Sequence, residues 1–387
     1  MITFSYLARV LSPDGFGVIG FATAFVSYFV LIVNYGFETY GIREIAKSPI
    51  NRHKLVDSIL TIRIITSIGV FIVLLICTIV LKKDFITKIA ILLSGINLFA
   101  TAFSLNWYFH GIQKMGYSSV SQILASIFSL ILVFLLVKDK ADVLLSIAIT
   151  GLSAIVNSLM LIISYNKSFG RFSFQLDKNF IKKIIPDSTP LALSSIMIAI
   201  YYNFDMIMLG FMKSDYEVGI YNAAVKIFLI GNVSYILIMK SFFPTFAEIG
   251  FSFTNKFYRN FRKYFFSMIS VGVFTTIILY LLSSQLIHIL FGRMYDSSVY
   301  PLKILAMNSA LVCINIIFGN PLLAWGKQNI YLIIVGIGAT TNILMNLILI
   351  QHFSYLGAAL ATLISETAVF LGLVIVYYNL RDAKIAL

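Results

Sequence analysis

A few side chains in this sequence could act on a charged partner from within apolar stretches: Arg9, Arg63, Asp205, Asn222, Lys226, Lys240 and Glu366. A charge at membrane depth costs at least about 2.5–3.5 kcal/mol, so such residues as a rule face a cavity or a partner rather than lipid. The densest set lies between Pro190 and Glu248, where Asp205 interrupts one apolar run and Lys226 and Lys240 interrupt the next. The two lysines stand about four helical turns apart, with Asn222 one turn before the first, so the three share a helix face. A basic stripe at two depths suits an anion. Lysine offers a point charge there, and Arg63 a planar fork that matches phosphate oxygens. The chemistry implied is electrostatic guidance of an anionic substrate along a wet path. Structural readings compete with it. Asp205 and Glu366 pair with lysines or carry a coupling proton, Arg63 and Lys240 snorkel to an interface, and Arg9 marks an interface.

Nothing in the sequence points to catalysis, to a metal or to a cofactor. The four histidines, His53, His110, His288 and His352, are scattered at the ends of apolar runs without metal-ligand spacing. Neither a glycine-rich phosphate loop nor an Asp-x-Asp run is present. Cys77 and Cys313 both lie in apolar runs, which implies packing rather than a disulfide framework.

Hydrophobic residues make up 59% of the 387 residues and charged residues 12%, with a mean hydropathy of +0.93. A soluble chain carries about 25% charge; this one is expected to be an all-α polytopic membrane protein. The net charge of +13 would suggest nucleic acid in a soluble protein. Here most of it lies in connections, where it sets topology, and no nucleic-acid partner is expected.

A short apolar stub, Met1–Leu11, is followed by runs long enough to span: 16–37, 58–81, 85–109, 117–137, 143–165, 189–212, 218–247, 264–291, 300–325, 331–353 and 355–380. Connections after even-numbered spans, the stub counted first, hold most of the basic residues. Among them are Arg43, Arg52, Lys54, Lys114, Lys167, Arg171, Lys256, Arg259 and Lys327, with Arg381 and Lys384 in the tail. The opposite connections hold Lys82, Lys83, Lys138, Lys140, Lys213 and Arg293. The positive-inside rule then puts the first set and the C-terminus in the cytoplasm.

The chain also repeats weakly. Ser12-Pro13-Asp14-Gly15-Phe16-Gly17 enters the second span much as Ser214-Asp215-Tyr216-Glu217-Val218-Gly219 enters the eighth. Trp107 and Trp325 each stand by a Gly/Gln/Lys turn. Two parallel-related six-helix bundles are expected, residues 1–165 and 189–387, joined by a cytoplasmic linker, 166–188. Aligning Gly17 with Gly219 puts the counterpart of the seventh span's start ahead of Met1. The repeat therefore predicts that the first helix lacks its beginning.

Three stretches carry a family resemblance. They are Tyr6-Leu7-Ala8-Arg9-Val10-Leu11-Ser12-Pro13-Asp14-Gly15-Phe16-Gly17; Asn34-Tyr35-Gly36-Phe37-Glu38-Thr39-Tyr40-Gly41-Ile42-Arg43-Glu44-Ile45-Ala46; and Asp205-Met206-Ile207-Met208-Leu209-Gly210, followed by Val218-Gly219-Ile220-Tyr221. Together they resemble the polysaccharide flippases of the Wzx/RfbX type, in the superfamily that also holds MATE drug exporters and MurJ lipid II flippases. The resemblance implies two six-helix bundles in a V with a central cationic cavity open to alternate sides. It implies oligosaccharide repeat units on undecaprenyl pyrophosphate as substrates, membrane lipids as surroundings, the bacterial inner membrane as location, and polysaccharide polymerase and chain-length machinery as partners. The alternative reading is a MATE-like multidrug or small-solute antiporter; cationic drugs would favour acidic cavities, and this chain has more base than acid at membrane depth.

Overall fold

The structure is a computed structural model that describes residues 2–47, 52–175, 178–250 and 254–385. Every regular element among the described residues is helical. In order they are α1 (Ile2–Asn34), α2 (Phe37–Lys47), α3 (Arg52–Val80), α4 (Phe85–Ser94), α5 (Ile96–Phe103), α6 (Asn106–Gly111), α7 (Gly116–Leu136), α8 (Val143–Ser168), α9 (Lys178–Met212), α10 (Asp215–Ile249), α11 (Asn255–Leu281), α12 (Ser283–Leu290), α13 (Val299–Ala324) and α14 (Gln328–Ile385), with short 3₁₀ turns before α8 and α13. Helices are the required solution here, because each satisfies its own backbone hydrogen bonds without water. Among the described residues nine helical segments are long and apolar enough to cross a membrane. Two of them hold a break that divides two expected spans. In α1 it falls at Ser12 (φ 63°), just before Pro13, and in α14 at Ser354 (φ 52°). The expected spans 331–353 and 355–380 thus meet at the residue left between them. Of the linker expected at 166–188, Leu176 and Asp177 lie outside the described residues.

By their contacts the residues divide into two units, Met1–Ala199 and Ile200–Leu387. In the first, α3 shows how a membrane helix inverts the soluble pattern. Ile65, Ile68, Ile72, Ile76 and Ile79 are exposed along one face, while Arg63, Ser67, Val70, Leu74 and Thr78 are buried along the other. Polar residues face protein here because lipid offers them no partner. One end of this unit is an aromatic core of Phe37, Tyr40, Trp107, Tyr108, Phe109 and Tyr165, with Tyr108 edge-on to Tyr165 at 4.9 Å between centroids. There α2 lies against α6 so closely that a Cβ on Gly41 would stand 2.3 Å from the Trp107 ring.

In the second unit the corner of α14 is fixed to the start of α10. Ser354 Oγ donates to Glu217 Oε1 at 2.7 Å, and Glu217 also closes a capping box with Ser214. Lys213 Nζ donates to the Gln351 carbonyl at 3.2 Å. The two arms of α14 run back from that corner against α13 and α10. Cys313 is buried and its thiol donates to the Met268 carbonyl, while Cys77 is half-buried; neither forms a disulfide.

The repeat shows in one turn geometry. After α6, the amides of Ile112, Gln113 and Lys114 donate to the carbonyls of Tyr108, His110 and Phe109. After α13, those of Trp325, Gly326 and Lys327 donate to Pro321, Leu323 and Leu322 in the same pattern. Gln113 (φ 59°) and Gly326 (φ 71°) occupy the left-handed position in each. Lys114 and Lys327 are therefore equivalent. The tryptophans are not: Trp325 matches Ile112, whereas Trp107 sits in the first turn of α6 and donates from Nε1 to the Ser104 carbonyl.

Candidate functional site

In the first unit the one strongly buried cation among the described residues is Arg63, 2% exposed. It stands about three turns into α3, on the face turned toward protein. From there Nη2 donates to Asn34 Oδ1 at the end of α1, and Nη1 donates to the Ser104 carbonyl at 3.3 Å. That carbonyl, which also accepts from Trp107 Nε1, is turned out of the helices because α5 ends at Phe103, Ser104 is extended (φ −69°, ψ 127°), and α6 starts only at Asn106. The guanidinium carbon lies 6.0 Å from the Phe37 ring centre, and Nε is buried without a partner. Arg63 is thus enclosed by protein, and its hydrogen bonds go to neutral groups. Arg9, on the first arm of α1 and one turn before Ser12, is exposed.

In the second unit the buried carboxylate of Asp205, 5% exposed, is the centre of a polar cluster from three helices. Tyr221 Oη of α10 donates to Oδ2 at 2.9 Å, Thr362 Oγ1 of α14 to Oδ2 at 2.5 Å, and Asn346 Nδ2 of α14 to Oδ1 at 2.6 Å. Asn346 also donates to Asn342 Oδ1, one turn away, at 3.0 Å. The break at Ser354 explains the convergence. Asn346 lies as far before it as Thr362 lies after it, so each stands about 12 Å from the corner along its own arm. Asp205 lies a similar distance from the end of α9, and Tyr221 one turn beyond Glu217. One turn further along α14, Glu366 is 4% exposed, and Asn315 Nδ2 of α13 donates to its carbonyl at 3.1 Å and to Oε2 at 2.5 Å.

The stripe on α10 grades from inside to outside: Asn222 is buried, Lys226 half-buried and Lys240 exposed. Of the sequence-predicted residues, the structure brings Asp205 and Glu366 onto one set of packed helices. The hydrogen bonds that hold Asp205 come from neutral donors and not from Lys226 or Lys240. Sequence reasoning missed the neutral partners: Asn34, Tyr221, Asn315, Asn342, Asn346 and Thr362. Two helical spacings were available as signals. Asn342 and Asn346 are four apart within an apolar run, and so are Thr362 and Glu366.

Chemically, the first unit offers a guanidinium with spare donor capacity. The second offers clustered oxygen atoms of Asp205, Thr362 and the two asparagines, with Asn346 Oδ1 buried and unpartnered. Among the described residues no group of three His, Cys, Asp or Glu stands in metal-binding proximity.

The fold is that of the membrane transporters to which solved structures match it. An inward-facing MATE-family multidrug transporter of the MOP superfamily superposes with a TM-score of 0.76 at 13% identity, over 99% of this chain and 96% of that one. The lipid II flippase MurJ in an inward closed conformation does so at 0.72 and 15% identity, over 97% and 86%. A relative from Shigella dysenteriae assigned as an O-antigen transporter is 25% identical over 376 residues, 96% of this chain and 93% of its own. Residues 1–250 match the family of polysaccharide biosynthesis proteins, and the chain belongs to that family. It is a multi-pass membrane protein with an all-helical transporter fold.

Proposed function

We propose that this protein moves oligosaccharide repeat units linked to polyprenyl pyrophosphate from the cytoplasmic to the outer leaflet of a bacterial inner membrane. The observation that carries this reading is membership of the polysaccharide biosynthesis family, combined with a fold shared with the lipid II flippase. The buried arginine supports it, because a pyrophosphate is the part of such a substrate that resists entry into an apolar interior.

In this reading residues 1–165 and 189–387 work as two six-helix bundles joined by 166–188, with the C-terminus in the cytoplasm. Arg63, Lys226, Lys240, Arg9 and Asn222 make up the path for the pyrophosphate and its first sugars, while the prenyl tail stays in lipid. Arg63 meets the substrate by exchange: phosphate oxygens take the place of Asn34 Oδ1 and the Ser104 carbonyl, so that Nη1 and Nη2 keep an acceptor before and after the exchange. Contacts of that strength at several depths lower the barrier to crossing, provided each releases the anion in turn. Asp205 and Glu366 are the coupling positions, where a proton or a small cation binds among the oxygen atoms of α9, α10, α13 and α14.

The test is leaflet-resolved analysis of lipid-linked repeat units in cells that lack the protein. The expected result is accumulation on the cytoplasmic face with the glycan fully assembled. Normal distribution between leaflets, or accumulation of incomplete glycans, would overturn the reading.

A further inference from the structure

The outer surface of the first unit carries an open groove of about 650 Å³ between α7 and α8, lined by Lys114, Tyr117, Val120, Ser121, Met160 and Ser164 among others. Val120 is 57% exposed and the walls are mostly apolar, the lining expected of a surface that meets hydrocarbon. Its two ends differ. At one end Lys114 is fixed by the turn after α6, with its amide on the Phe109 carbonyl, and its Nζ lies 5.0 Å from the ring centre of Phe169. Phe169 caps the C-terminus of α8. Lys167, two residues earlier, repeats at helical spacing after Met160 and Ser164 and so continues the α8 wall to the same end. Both lysines are exposed, and no acid is among the described residues that line the groove. Tyr117 stands beside them with its ring stacked on Phe109 at 4.9 Å. From Gly116 to Ser121 the α7 wall rises only about 7 Å. That is the depth of a phosphate, a glycerol and the first methylenes of a chain, not of a long isoprenoid. The distribution of Lys and Arg assigns this end to the cytoplasmic face, where anionic lipids attract basic residues by about 1 kcal/mol each, or about fivefold.

We propose that the groove between α7 and α8 is a binding site for an anionic glycerophospholipid, with the phosphate between Lys114 and Lys167 and the start of an acyl chain against Val120 and Met160. The site lies on the first unit alone and does not depend on what the protein transports.

The experiment uses the full chain reconstituted in vesicles of phosphatidylglycerol and phosphatidylcholine in equal amounts, then re-extracted in detergent, with retained lipid measured by mass spectrometry. The wild type is expected to retain phosphatidylglycerol over phosphatidylcholine. Lys114→Glu combined with Lys167→Glu is expected to lower retained phosphatidylglycerol about 25-fold, at about fivefold per lysine. Val120→Trp fills the groove and leaves both lysines, and is expected to lower it as well; that result separates a built site from diffuse attraction. Lys138→Glu with Lys140→Glu, beyond the far end of α7, is expected to change nothing. Equal retention of both lipids, indifference to Val120→Trp, or displacement of phosphatidylglycerol by equimolar polyprenyl phosphate would each overturn the proposal.

Discussion

The two units solve the same problem with opposite signs. In the first, the cation of Arg63 is buried against an amide oxygen, a backbone carbonyl and an aromatic face. In the second, the anion of Asp205 is buried against a phenol, a hydroxyl and an amide nitrogen. Removing a partner from a buried ion pair costs about 3–5 kcal/mol, because an uncompensated charge remains. A charge balanced by dipoles is different: its partners stay neutral when they let go. Such a charge is stable enough to fold around, yet open to exchange with a mobile ion of opposite sign. Under the proposed function, the comparison makes Arg63 a contact for the anionic substrate and Asp205 the position for a coupling cation or proton.

The largest effect is expected at the centre of the first node. Arg63→Ala should lower transport of lipid-linked glycan about 10–100-fold, the value of one to two hydrogen bonds to a charged group. Arg63→Lys should recover only part of it, since a point charge replaces the fork. The reciprocal substitution, Asp205→Asn, keeps the shape and removes the charge. Transport is expected to fall about tenfold and to lose its dependence on an imposed ion or pH gradient, with the melting temperature little changed; retained gradient dependence would break the assignment of the second unit. Next come the neutral partners. Asn34→Ala and Thr362→Val each remove one hydrogen bond to a charged group, about 1.5 kcal/mol at the low end, and should slow transport about tenfold. The comparison is sharpened if Asn34→Ala shifts the apparent affinity for glycan while Thr362→Val shifts that for the coupling ion. The smallest effect is expected at the exposed end of the α10 stripe, where Lys240→Ala should change transport by less than about threefold, and less again at high salt.

The helical spans were legible because membrane helices advertise themselves by length and apolarity. The division of α14 at Ser354 fell between two hydropathy runs, and its strained φ was the one part not visible in advance. Charged residues at depth were equally plain, which is why Arg63, Asp205 and Glu366 could be singled out. Their partners were not. Asn34, Asn346 and Thr362 are uncharged, scatter through apolar runs, and acquire meaning only when tertiary packing sets them opposite a charge. For the same reason Asp205 invited a lysine that the packing does not supply. The match between Trp107 and Trp325 misled in another way: the turns recur, but backbone geometry aligns Lys114 with Lys327 and leaves the tryptophans in different roles.

The most direct measurement is flipping of a fluorescent polyprenyl-pyrophosphate oligosaccharide in proteoliposomes that contain either wild-type protein or Arg63→Ala of equal abundance and thermal stability. The account predicts rapid appearance of probe in the opposite leaflet with the wild type, and a rate about 10–100-fold lower with the variant. Equal rates from the two proteins would contradict it.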